Sequence, residues 1–276
     1  MVKSLPGLLL TALMTAAHAQ DETGKSAYWE LGVGFTGISF PDYLGSDERN
    51  NWFLPFPYFV YRSERLEIDR DAVTGELFES PRWELDITLS GSLPVRSDDN
   101  ERREGMPDLD PILEIGPVLR YELHRLPANN GRFLLELPIR AAIASDFTHI
   151  EDVGWISNPN LRFERERFGG DESWNVDASL GAVFGTERYH DYFYGVAPRF
   201  ATADRPAFEA EGGFGGWRVA VGFSRRVGDL WYGGFIRYYD LRDAEFVDSP
   251  LVETEHAWAG GFAMAWIFAE SGKTGE

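Results

Sequence analysis

Apolar and polar residues alternate through most of this chain. From Trp83 to Val95 the odd positions read Trp83, Leu85, Ile87, Leu89, Gly91, Leu93 and Val95, and the even ones Glu84, Asp86, Thr88, Ser90, Ser92 and Pro94. A period of two gives a strand with one apolar face, and this one is long enough to cross a bilayer when tilted. The pattern recurs at Leu113 to Leu123, Arg132 to Arg140, Trp174 to Phe184 and Trp217 to Ser224. Weaker alternation predicts strands at Tyr28 to Ser39, Trp52 to Tyr61, Arg65 to Arg70, Val153 to Glu164, Asp191 to Arg199 and Leu230 to Leu241. In the last segment His256, Trp258, Gly260, Phe262, Met264, Trp266 and Phe268 share one face, and Ala257, Ala259, Gly261, Ala263 and Ala265 the other. The sum is about twelve strands, with ten as the alternative. The fold class expected is all-β, an antiparallel barrel.

A soluble barrel turns such an apolar face inward, so periodicity alone does not separate it from a membrane barrel. Tryptophan and tyrosine recur near the predicted strand ends, at Trp83, Tyr121, Trp155, Trp174, Tyr192, Tyr194, Trp217, Trp231, Tyr238 and Trp258. That is where an interfacial aromatic belt sits. Near the start, Lys3 precedes Leu8, Leu9, Leu10, Leu13 and Met14, then Ala17-His18-Ala19. These are the charged, apolar and small-residue parts of an export signal, with cleavage expected after Ala19. The expectation is therefore a leader at residues 1–19 and one closed transmembrane β-barrel domain at 20–276, exported to the outer membrane with its lipid as environment.

Charge removes other classes. The chain carries −19, or −20 once Lys3 is lost with the leader, which opposes binding to a nucleic-acid backbone. It has no cysteine, so thiol catalysis, disulfides and cysteine-ligated metals are excluded.

Several runs then carry a resemblance. They are Pro41-Asp42-Tyr43-Leu44-Gly45-Ser46-Asp47, Leu54-Pro55-Phe56-Pro57-Tyr58, Leu93 to Asn100, Arg103-Glu104-Gly105-Met106-Pro107-Asp108-Leu109-Asp110 and Ile115-Gly116-Pro117. Tyr189 to Val196 and Asp248-Ser249-Pro250-Leu251-Val252 follow in the same order. In these the chain resembles the MipA/OmpV family of outer-membrane proteins. The resemblance implies an outer-membrane barrel, and a scaffold role connecting a lytic murein transglycosylase to a bifunctional penicillin-binding protein. It departs from the usual assembly signal in that Phe268 is followed by Ala269 to Glu276.

Catalytic readings are weaker. Barrel hydrolases need a histidine beside a serine or an acid, and none of His124, His149, His190 or His256 lies in an Asp-x-His or His-x-Ser pairing. His190 beside Asp191 is the best candidate, and the plainer reading is that both organise a strand end by hydrogen bonding. The acidic runs Ser97 to Glu101 and Asp108 to Asp110 lack the spacing of a calcium loop and read as solvated loop. Gly212-Gly213 and Gly215-Gly216 have no neighbouring Lys-Ser/Thr and read as a bend or bulge. No catalytic residue, cofactor or metal is expected.

The function expected is a non-enzymatic envelope scaffold; the alternatives are a narrow channel and a lipid-modifying enzyme. On the polar strand faces Glu84, Asp86, Glu114, Glu122, Glu136 and Asp177 oppose Arg120, Arg132, Arg140, Arg218 and Arg237. Charges so nearly balanced pair across a narrow lumen and obstruct it, whereas an ion-selective pore shows one dominant sign. Running the twelve segments up and down from a periplasmic N-terminus brings Arg96 to Asp110 out on the periplasmic side. This segment is then the docking loop for a murein enzyme, with Met106 and Leu109 as apolar contacts among Arg102, Arg103, Asp108 and Asp110. An extra hairpin arm at Val73 to Phe78, pairing with Leu66 to Arg70, moves the loop outside instead.

Overall fold

The computed structural model describes residues 28–62, 66–68, 73–126, 130–146, 148–168 and 174–271; the expected leader lies outside them. The strands are β1 (Tyr28–Pro41), β2 (Arg49–Arg62), β3 (Leu66–Ile68), β4 (Val73–Glu79), β5 (Trp83–Ser92), β6 (Ile112–Leu126) and β7 (Gly131–Ser145). They continue as β8 (Ile150–Ser157), β9 (Asn160–Phe168), β10 (Trp174–Gly185), β11 (Gly213–Val227), β12 (Leu230–Asp240) and β13 (His256–Glu270), with helix α1 at Glu187–Tyr194.

Every pairing is antiparallel, and the pairing returns to its starting point. β10 bonds to β11, β13 bonds to β1, and sequential neighbours fill the rest. β8 and β9 both lie against β7, β8 on residues 139–145 and β9 on 131–136. They are two halves of one wall position, so the 13 strand segments among the described residues form a ring of 12. The fold is an all-β closed antiparallel barrel. The break falls at Asn158-Pro159, where proline has no N–H to give the ladder.

The outer wall is a continuous apolar band. Val33, Phe35, Phe53, Phe262, Trp266 and Phe268 are each more than half exposed, Phe53 at 74%. Water does not tolerate such a band around a whole molecule; lipid does. Trp155, Trp217 and Trp258 lie toward one end of the wall and Trp83, Trp174 and Trp266 toward the other, the paired girdles of a membrane barrel.

The two ends differ. Residues 42–48, 93–111, 146–149, 186–212 and 241–255 all connect strands at one end. At the other, short connections such as 80–82 and 228–229 lie with Tyr28 and Ser271, where Trp29 and Ser271 bond to one another.

Two expectations are corrected. Val73–Glu79 is a strand, paired to β3 on one side and β5 on the other. Asp191 to Arg199 is no strand: the chain forms α1 and then a short 3-10 turn at Pro198–Phe200. The expected count of about twelve agrees with the ring because one strand missed and one wrongly assigned cancel. The strand from Trp83 also stops at Ser92, since Pro94 cannot continue the ladder and Val95 turns away to bridge Leu109.

Candidate functional site

Inside the ring the wall has two characters. On β1, β2, β12 and β13 the inward residues are mostly apolar, many of them small or aromatic, Glu30 and Arg237 excepted, and rings lie flat over glycines: a Cβ on Gly34 would meet Phe56 Cε1 at 2.7 Å, and one on Gly233 would meet Trp231 Cζ2 at 2.7 Å. Opposite, on β5 to β10, the inward residues are charged and paired. Arg120 holds Asp86 with Nη1 and donates through Nε to Glu136 at 2.9 Å. Arg132 bridges Glu84 and Glu164, and Arg140 Nε donates to Glu114 at 3.0 Å. Arg162 lies 3.7 Å from Asp177. Near the turn end Arg226 joins Glu30 and Glu270.

Glu84, Asp86, Glu114 and Glu136 meet arginines expected from the sequence, but sideways between nearby strands and not across the lumen; Asp177 meets Arg162, and Arg218 and Arg237 meet no carboxylate among the described residues. Glu122 instead pairs locally with Arg125. Glu30, Glu164, Glu270, Arg162 and Arg226 are lumen charges that the sequence reading passed over. Glu30 sits on the inward parity of a strand already recognised, and that was the available signal.

The loop end is closed by a second, smaller core. Tyr43, Val95, Leu109, Tyr194, Val196, Ala210, Leu241, Ala244, Phe246 and Leu251 pack together from four different loops. At its centre the Tyr194 and Phe246 rings stack at 3.6 Å, 6° from parallel. Hydrogen bonds stitch the loops: Tyr43 donates to the Leu251 carbonyl at 2.8 Å, Ser249 Oγ to the Tyr194 carbonyl at 2.7 Å, and Arg205 Nη1 to the Arg102 and Glu104 carbonyls. Burial pushes the phenol of Tyr192 up to about 12 and that of Tyr43 higher still. His190 sits over Phe246, and its Nδ1 must carry the proton because it faces the Glu211 carbonyl at 2.7 Å. Burial lowers its pKa against the opposing pull of the Glu211 carbonyl and the Glu245 charge, and among the described residues no serine or acid side chain hydrogen-bonds to the ring.

α1 forms here because its aromatic run, alternating or not, meets a three-dimensional demand. His190 and Tyr194, four apart, face the cap, while Tyr189 and Phe193 cover the core of Ile112, Ala142, Ala144 and Val153 at the top of β6 to β8. The bonds His190 N to Thr186 O and Gly195 N to Asp191 O mark its ends.

The expected docking residues lie in this cap. Arg103 is 3% exposed, donates to the Phe193 and Pro107 carbonyls, and is held below the usual guanidinium range by burial. Leu109 is equally buried, and Met106 packs against the same core. Asp108 accepts from the Ser97 amide, Arg102 pairs with Glu253 at 2.8 Å, and the Asp110 amide donates to the Tyr192 hydroxyl. The segment emerges at the long-loop end, opposite Tyr28 and Ser271, because β3 and β4 pair; with the periplasmic N-terminus that the expectation assumed, this extra strand puts the segment outside. By the rule that short turns face the periplasm, a cysteine at Asp99, whose side chain is 70% exposed, is expected to react with an impermeant maleimide on intact cells. Ser97 is unsuitable, being fully buried. Labelling only after permeabilisation would reverse the orientation.

A closed antiparallel ring, a lipid-compatible outer wall and one loop-capped end define an outer-membrane β-barrel protein. The sequence model of the family described as MltA-interacting protein MipA matches residues 33–268, and the chain belongs to that family. Outer membrane protein Omp26La of Vibrio anguillarum is 27% identical over 88 residues, 32% of this chain and 34% of that one, so the likeness spans about a third of the relative. Among solved structures, OprB of Pseudomonas putida covers 87% of this chain and 94% of its own at 7% identity and a TM-score of 0.36. Outer membrane phospholipase A from Escherichia coli covers 86% and 92% at 11% identity and a TM-score of 0.33. Likeness of this degree carries no function. Of the runs that resemble the family, those at residues 41–47, 93–100, 103–110, 189–196 and 248–252 converge in the cap.

Proposed function

We propose that this protein is a non-enzymatic scaffold of the outer membrane, which connects a murein hydrolase to a murein synthase at the periplasmic face. The observation that carries the reading is the combination of a lumen lined on one side by Arg120, Arg132 and Arg140, each fixed to carboxylates of nearby strands, and a mouth filled by the packed cap. A barrel so lined and capped is poorly suited to transport, and the family is described by a protein interaction. With the cap outside, a periplasmic partner meets the short-turn end, not residues 102–110.

The rival is a channel. Purified protein in planar bilayers is expected to show no large, steady single-channel currents; such currents would place transport above scaffolding. In-cell crosslinking from the short-turn end, for instance through a photoreactive residue at Ser80, is expected to recover a lytic transglycosylase or a bifunctional penicillin-binding protein. Failure to recover either removes the scaffold reading. An enzyme acting on outer-leaflet lipid predicts a changed lipid A mass spectrum on deletion; an unchanged one is expected.

A further inference from the structure

Not every lumen arginine is paired. Arg120, Arg132, Arg140, Arg162 and Arg226 each meet a carboxylate. Arg218 and Arg237 meet none among the described residues. Arg218 Nη1 donates to the Asn158 side-chain oxygen at 2.9 Å, while its Nε is buried with no partner. Arg237 has only the face of Phe235, 4.6 Å from its guanidinium carbon.

The two belong to one place. Arg218 pairs across the ladder with Tyr239 and Arg237 with Ala220, so they are inward diagonal neighbours on β11 and β12, within reach of each other for side chains this long. Arg140 is also close enough to act on Arg218 electrostatically, but its charge is answered by Glu114. Glu136, an acid that also acts on Arg218, is engaged by Arg120. Round the pair the inward positions are small: Gly181 opposes Arg218, Ser179 opposes Ala220, and Ala257 and Ala259 oppose Tyr239 and Arg237. None of these neighbours brings a carboxylate to the pair. On the same row as Arg218 and Gly181 stands Asn160, whose side-chain oxygen is buried and unpartnered. Asn158 reaches Arg218 because the wall breaks at Asn158-Pro159.

An uncompensated guanidinium pair away from bulk water is costly, and its natural complement is a planar or tetrahedral oxyanion that takes two N–H forks. We propose that Arg218 and Arg237 form a binding site in the lumen, directly beneath the cap, for a small soluble oxyanion of the phosphate or carboxylate type. Asn158 orients Arg218 for that anion, and Phe235 supports Arg237.

The test compares thermal unfolding of the full barrel in detergent with inorganic phosphate, with acetate and with chloride at matched ionic strength, for the parent, Arg218→Gln, Arg237→Gln and the exposed-loop control Arg96→Gln. Phosphate or acetate is expected to raise the parent's Tm above chloride, and calorimetric binding of that anion to weaken about ten- to a hundredfold in either lumen variant. Arg96→Gln retains the effect. In chloride alone Arg237→Gln is expected to be as stable as the parent or more so, because it relieves a like-charge contact; an arginine with a merely structural role would lose stability in every buffer. Heat-modifiable gel mobility confirms that each variant is a folded barrel. Absence of any phosphate or acetate effect on the parent, or an undiminished effect in both lumen variants, would overturn the site.

Discussion

Replacement of Phe246 by alanine is expected to open the loop end while leaving the strand wall intact. The ring is 2% exposed, stacks on Tyr194 and touches His190 edge to face. It joins residues 241–255 to α1, so its loss removes the centre of the cap core. Truncating a buried phenylalanine costs about 3–5 kcal/mol. The cap holds only a small core, so a loss of that size is expected to unfold it locally before the barrel itself melts. Limited proteolysis should then cut within residues 186–212 or 241–255, where the parent resists, and bilayer recordings should show openings that the parent lacks. Phe246→Leu, which keeps most of the volume, should behave nearly as the parent. A variant with alanine that stays protease-resistant would mean that the cap does not depend on this stack.

The second large effect belongs to Arg120. It pairs with both Asp86 and Glu136, which are 4% and 8% exposed. Arg120→Met takes from two buried carboxylates the cation that lies between them. Breaking a buried pair by removing one partner costs about 3–5 kcal/mol; the 21% exposure of the Arg120 side chain admits some screening, which reduces the expected loss to about 2–4 kcal/mol. Denaturant unfolding in detergent measures it. The companion triple variant Arg120→Met, Asp86→Leu, Glu136→Leu removes the charges together and is expected to recover most of that loss, since a buried ion cluster is replaceable by apolar packing. If the single variant were as stable as the parent, the lumen would be wet enough to solvate the acids, and its lining by fixed pairs would be in doubt.

Much of the wall was legible in the sequence, for a local reason. Each strand carries lipid on one side and lumen on the other, and that contrast is written residue by residue as a period of two. It located β1, β2, β5, β6, β7, β10, β11, β12 and β13 to within a few residues and put the charges Asp86, Arg120 and Glu136 on the inward face. The segment from Val73 to Glu79 escaped because Gly75 interrupts it and acids stand on both parities. α1 escaped for the opposite reason. Tyr189-His190-Asp191-Tyr192-Phe193-Tyr194 is rich in residues that favour strands, and only contact with Phe246 and the top of β6 to β8 makes a helix of it.

The sequence by itself determined the class of fold, the membrane it suits and the near-balance of lumen charge, because these follow from alternation, aromatic placement and composition. Only the tertiary structure decided which arginine meets which acid, that Arg218 and Arg237 meet none, and that residues 93–111 emerge at the capped end. Those depend on strand parity summed round a closed ring and on contacts between loops far apart in the chain, and one strand missed in the count reverses the side on which every later loop lies until a second error restores it.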